Sequence, residues 1–107
     1  MKQQYSYTSK AQSAKMLEIG IRKESADMYY NEKERLPKYR VPTTCWRKKH
    51  VPCWSFVQLA GILRFMCKDI SAIMARKVTI QELVNEISKS DKQSIENFNE
   101  YGYRCLH

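Results

Sequence analysis

The stretch SFVQLAGILRFMCK, residues 55–68, decides the fold. Phe56, Leu59, Ala60, Leu63, Met66 and Cys67 recur at three- and four-residue steps, which lines them along one side of an α-helix. Ser55-Phe56-Val57-Gln58 reads as a capping box, with the Ser oxygen taking a free N–H and Gln58 reaching back. The pattern predicts a central core helix. Gly61 inside it either admits a close neighbour or costs some helix stability.

Downstream, Ile70, Ile73, Met74 and Val78 suit a short helix or an extended return over 69–78. Thr79–Glu82 and Ser90–Gln93 are two more capping boxes, and Gly102 is a plausible stop. The segment TIQELVNEISKSDKQSIENFNEYGY (79–103) resembles the helix-turn-helix of winged-helix domains over those residues alone. Its second helix sets Glu96 and Glu100 against Lys92, which is poor electrostatics for a groove-reading helix. Ordinary packing of a helix hairpin is the better expectation.

Upstream, Thr8 or Ser9 can cap a helix over about 9–19, with Ala11, Ala14, Leu17 and Ile21 on one side. Gly20 fits the C′ position of a Schellman-type stop, with Ile21 as the apolar contact that follows. A short second helix is expected from Lys23 to Asn31, presenting Ala26, Tyr29 and Tyr30. Leu17, Ile21, Tyr29, Trp54 and Leu59 are expected in the core, together with Leu63, Met66, Leu83, Ile87 and Phe98.

The fold class is therefore mainly α: one small domain over 1–107, with four or five short helices. Residues 1–8 are expected as a flexible N-terminal arm. A chain of 107 residues rarely divides into two cores, and 43% hydrophobic with 28% charged residues excludes wholesale disorder. No apolar run reaches the roughly 18 residues of a membrane span. The polar start, with no apolar leader segment, points to the cytoplasm.

Between Pro37 and Cys53 the pattern breaks. Pro37, Pro42 and Pro52 forbid a continuous helix. Tyr39 and Val41 alternate with Lys38 and Arg40, as in a short edge strand, leaving room for one β-hairpin. Lys38, Arg40, Arg47, Lys48 and Lys49 fall here with no acid from 36 to 53, and Tyr39 and Trp46 interleave them. The whole chain carries a net charge of +8, and residues 1–50 hold twelve basic against five acidic side chains. Cations among aromatics are what a nucleic-acid backbone meets. A solvated loop with its aromatics tucked inward is the bland alternative.

The four cysteines, at 45, 53, 67 and 105, carry no CxxC pair. Cys45, His50, Cys53 and Cys67 are a conceivable zinc set, but structural zinc usually draws on two tight pairs. Ordinary thiols and no metal or other cofactor are the expectation. Catalysis is not expected either: the chain has no Gly-rich phosphate loop, no HExxH and no GxSxG. Asp27 reads as a buried carboxylate that fixes the turn between two helices.

KMLEIGIRKESADMYY (15–30), LPKYRVP (36–42) and VPCWSFVQLAGIL (51–63) together resemble a family of small uncharacterised proteins from Bacteroides-type bacteria and their phages or mobile elements. The matching positions are Ile19, Gly20 and Ile21, then Ser25 to Tyr29, then Pro52, Trp54 and Ser55. The resemblance implies an accessory role in a bacterial or phage cytoplasm and assigns no site residues.

The functional expectation is a non-catalytic basic module, without a membrane partner, that meets an anionic partner through Lys38, Tyr39, Arg40, Trp46, Arg47, Lys48 and Lys49. A nucleic-acid backbone is the leading partner. The alternative is an accessory factor or inhibitor that docks on a host protein with an acidic surface.

Overall fold

A computed structural model of the chain describes residues 6–40, 46–66, 69–75 and 78–102. Its helices start where the sequence supplies a side-chain oxygen. Helix α1 (Lys10–Glu18) opens with a complete capping box: Ser9 Oγ accepts from Gln12 N–H at 3.1 Å, and Gln12 Oε1 accepts from Ser9 N–H at 2.8 Å. Helix α2 (Phe56–Phe65) is capped by Ser55, α4 (Ile80–Ser88) by Thr79, and α5 (Lys92–Asn97) by Asp91. Asp91 replaces the expected Ser90 because its carboxylate reaches Ser94 N–H at 2.7 Å. Within the 69–78 stretch Ile70–Ala75 forms a helix, α3, and residues 76–77 lie outside the described part. Helix α1 stops in the expected Schellman geometry: Ile21 N–H bonds Met16 O, Gly20 N–H bonds Leu17 O, and Gly20 takes φ +103°.

The fold is mainly α, five helices with one small antiparallel sheet among the described residues. The core is where α4 lays Leu83, Val84 and Ile87 against Leu59, Ile62 and Leu63 of α2, with Trp54 and Phe98 fully buried beside them. Three expected core residues are displaced. Leu17 is 42% exposed while Met16 is fully buried, because α1 docks through Ser13 and Met16, one residue back from the expected stripe. Met66 and Tyr29 are half-buried at the core edge. The expected hairpin of α4 and α5 is also replaced. The main neighbours of α4 are α2 and α1, whereas α5 packs on the π-helical turn Phe98–Gly102 that continues it. Gly102 is needed there, since a Cβ would come within 2.5 Å of the Phe98 ring.

The largest correction falls between Lys23 and Asn31. In place of a helix there is one 3₁₀ turn, Lys23–Ser25, followed by strand β1, Met28–Tyr30. The cause is visible in the carbonyls. Glu24 O and Ala26 O accept from the Arg40 guanidinium, Ser25 O from the Gln58 amide, and Asp27 O from Arg40 N–H. Four consecutive acceptors that a helix would use for itself are engaged by distant residues.

Strand β1 is the centre of the sheet, flanked by β2 (Lys38–Tyr39) and β3 (Val51–Cys53), both antiparallel to it. Met28 and Tyr30 face Cys53, Tyr7 and Val51 in a second small core, and Tyr29 points to the opposite face. The bond from Arg40 N–H to Asp27 O makes that pair a hydrogen-bonded one. Alternation then turns Tyr39's backbone away from β1 and Met28's toward β3. Pro52, opposite Tyr29, thereby occupies a position of β3 where an N–H would face outward. Of the expected N-terminal arm, residues 6–8 run beside 54–56: Thr8 N–H bonds Trp54 O, and Phe56 N–H bonds Ser6 O. Residues 1–5 lie outside the described part.

Candidate anion-binding face

Asp27 sets the geometry from below. Its carboxylate accepts from both the N–H and the hydroxyl of Ser55, the residue that caps α2. It thus fastens the sheet to the start of a helix, where a turn between helices was expected. With Ser55 N–H taken, Gln58 has no reason to complete the capping box, and its amide donates to Ser25 O at 2.6 Å instead.

Arg40 leaves β2 pointing inward. Its guanidinium donates to Glu24 O and Ala26 O at 3.0 Å each, and burial lowers its pKa while Glu24 and Asp27 pull it back up. Arg40 is therefore a structural cation. Its guanidinium carbon lies 4.6 Å from the centre of the Trp46 ring, and Lys23 Nζ lies 5.6 Å from the same point. His50 meets Trp46 edge-on with centroids 6.4 Å apart, and Tyr29 lies 4.7 Å from His50 on its other contact. Trp46 is half-buried and packs against the main core.

Above this aromatic base sits the turn Arg47–His50. His50 N–H donates to Arg47 O at 3.0 Å, and Arg47 N–H donates to His50 Nδ1 at 3.4 Å. The turn is closed on both sides, and Arg47, Lys48 and Lys49 stand exposed on it. Acids absent from this stretch of sequence arrive from the β1–β2 connection. Glu32 pairs with Lys49 at 3.3 Å and Glu34 with Lys38 at 3.1 Å. Both pairs are exposed, so each contributes little, roughly 0–1 kcal/mol. Arg47 and Lys48 have no ion pair among the described residues. Tyr39 is 69% exposed on β2, beside Leu36 at 67%.

The structure thus brings Arg40, Trp46 and the 47–49 turn together, and Lys38, opposite Tyr29, shares that face of the sheet, whereas Tyr39, opposite Met28, lies on the other face. Sequence reasoning missed Lys23 and Tyr29, since nothing in their spacing reveals that they reach Trp46 and His50. Of the conceivable zinc set, Cys45 and Cys67 lie outside the described residues, and among the described residues no three His, Cys, Asp or Glu gather as a metal site. Cys53 is fully buried, donates to Thr8 O at 3.3 Å, and its thiol pKa is pushed up to about 11 by burial. A thiol held protonated is a poor nucleophile and a poor ligand.

No protein-family model, curated protein or solved structure matches the chain. Among the described residues, no helix is long and apolar enough to cross a membrane.

Proposed function

We propose that the protein is a non-catalytic binding module that contacts an anionic partner, in the first place a nucleic-acid backbone, through Arg47, Lys48 and Lys49. One observation carries this reading: a braced turn holds three exposed cations, two of them without an acidic neighbour among the described residues. A fixed turn loses little freedom when phosphates neutralise it, and phosphate contacts give affinity without sequence preference. The resemblance over residues 15–63 supports an accessory role in a bacterial or phage cytoplasm. The Trp46 ring serves this face as a pillar rather than as a bare stacking surface, because Arg40 and Lys23 already lie against it.

The test is a mobility-shift titration with single- and double-stranded DNA and RNA at several salt concentrations. Binding should weaken steeply with salt. Replacing Arg47, Lys48 and Lys49 together by Ala should flatten the log–log slope by about 2 to 3. If nothing shifts at low salt, the second reading takes over: a host protein with an acidic surface that meets the same exposed cations.

A further inference from the structure

The two tryptophans differ at one atom. Trp54 Nε1–H is buried and donates to Ser25 Oγ at 3.0 Å. Trp46 Nε1–H is buried with no acceptor among the described residues, and so is Arg40 Nε–H. The two orphaned donors belong to one stack, with the guanidinium carbon 4.6 Å from the indole centre. Buried N–H groups are nearly always satisfied, because leaving one unmade forfeits its hydration for nothing. Two neighbouring exceptions leave room for an acceptor that the described residues do not supply.

Charge says what kind of acceptor. Arg40 bonds two carbonyls, which are neutral, and among the described residues Glu24 and Asp27 act on it only from beyond ion-pair distance. Lys23 Nζ stands 5.6 Å from the same indole centre, adding a second cation. Planar guanidinium N–H groups suit oxygen anions in particular. We propose that Arg40, Trp46 and Lys23 form a site for one small oxyanion, a phosphate or a carboxylate, whose oxygens accept from Arg40 Nε–H and Trp46 Nε1–H. The orphaned atoms are covered while the side chains that carry them are only half-buried, so a side-chain rotation, with the backbone in place, admits the anion. The site lies beneath the Arg47–His50 turn and does not depend on that turn binding a polyanion.

The experiment follows the ¹⁵N–¹H resonances of Trp46 Nε1 and Arg40 Nε while inorganic phosphate, then acetate, is titrated into the full chain at ionic strength matched with sodium chloride. Both resonances should move downfield and saturate, whereas Trp54 Nε1–H, already bonded to Ser25, should stay in place. The tighter of the two anions identifies the source as phosphate or carboxylate. Trp46→Phe keeps an aromatic face for Arg40 and removes one donor; Arg40→Lys keeps the charge and removes the other. Each should weaken binding by about tenfold or more, with the Trp54 resonance reporting that the fold survives. Shifts that do not saturate, or that sodium chloride reproduces, overturn the proposal on the unaltered protein, as does saturable binding that both variants leave intact. Loss of nucleic-acid binding in the turn variant with a normal phosphate titration would separate the two sites.

Discussion

The helices and the small sheet of this molecule are held by different means. Between α2 and α4, contact is apolar and broad: six aliphatic side chains that no water reaches. Around β1 the ties are polar and few, each made by a particular atom of a particular residue. Asp27 holds Ser55, Arg40 holds two carbonyls, Gln58 holds Ser25, and Thr8 Oγ1 accepts from Trp54 N–H. An apolar interface tolerates exchange of like for like. A polar one loses a buried partner with each change and leaves the other group unmet. The exposed cations of the proposed contact turn sit on the polar half.

Substitutions can sharpen that contrast, and the largest effect is expected where the halves meet. Trp54 is fully buried and also bonds Ser25; Trp54→Ala should cost about 3–5 kcal/mol in denaturant unfolding. A cost under about 1 kcal/mol would mean the core does not close on the sheet as described. Asp27→Ala removes the acceptor of two Ser55 donors and should cost about 2–3 kcal/mol. Asp27→Asn should recover part of that, since an amide oxygen still accepts. If both variants unfold like the parent, the sheet is not anchored through this carboxylate.

pH gives a third contrast. The Cys53 thiol titrates near 9.0 when unfolded and is pushed up to about 11 when folded, chiefly by burial. The folded chain therefore keeps its proton longer. Stability should be full below pH 9, fall by about 2 kcal/mol as pH rises from 9 to 11, and then level off. Cys53→Ala should remove that component, measured as the difference between the two pH profiles. Next in size, Gly20→Ala forces a side chain into φ +103° and should cost about 1–2 kcal/mol, although Ile95 leaves room for the Cβ at 3.5 Å. Smallest of all, alanine at Arg47, Lys48 or Lys49 should change stability by about 0.5 kcal/mol or less each. A larger loss would make the turn a structural element in its own right.

The helical half was legible in sequence because its signals are local. Ser55, Thr79 and Gly20 announce helix ends within a few residues of themselves, and the spacing of Leu59, Leu63, Leu83 and Ile87 marks a buried side. The strand at Met28–Tyr30 was not legible, because what forbids a helix there is Arg40 and Gln58, brought in from elsewhere in the chain. The same holds for the candidate face. Its exposed cations could be read from the run Arg47-Lys48-Lys49, but the reach of Glu32 to Lys49 and the stack of Arg40 on Trp46 depend on how the strands come together. Leu17 was misplaced for a smaller reason. A stripe of short residues with one Leu fits two rotations of α1, and Ser13, bonded at 2.8 Å to Thr8 Oγ1, selects the other.

Asn99 ties the exit of α1 to a segment far downstream, which bears on the order of assembly. Its amide donates to Gly20 O at 2.8 Å, and its oxygen accepts from Arg22 N–H at 3.1 Å. The exit from α1 is thus held by a residue made long after it. Helix α1, with its own cap and stop, can flicker into shape as soon as it is made. Its exit receives this clasp only after the π-helical turn has been delivered, so the N-terminal third of a growing chain has no finished surface of its own. Contacts this distant in sequence are slow to form. A truncation before Asn99 should leave a chain with near-complete helix signals and an unfastened α1 exit, because a later piece is the one that closes an earlier one.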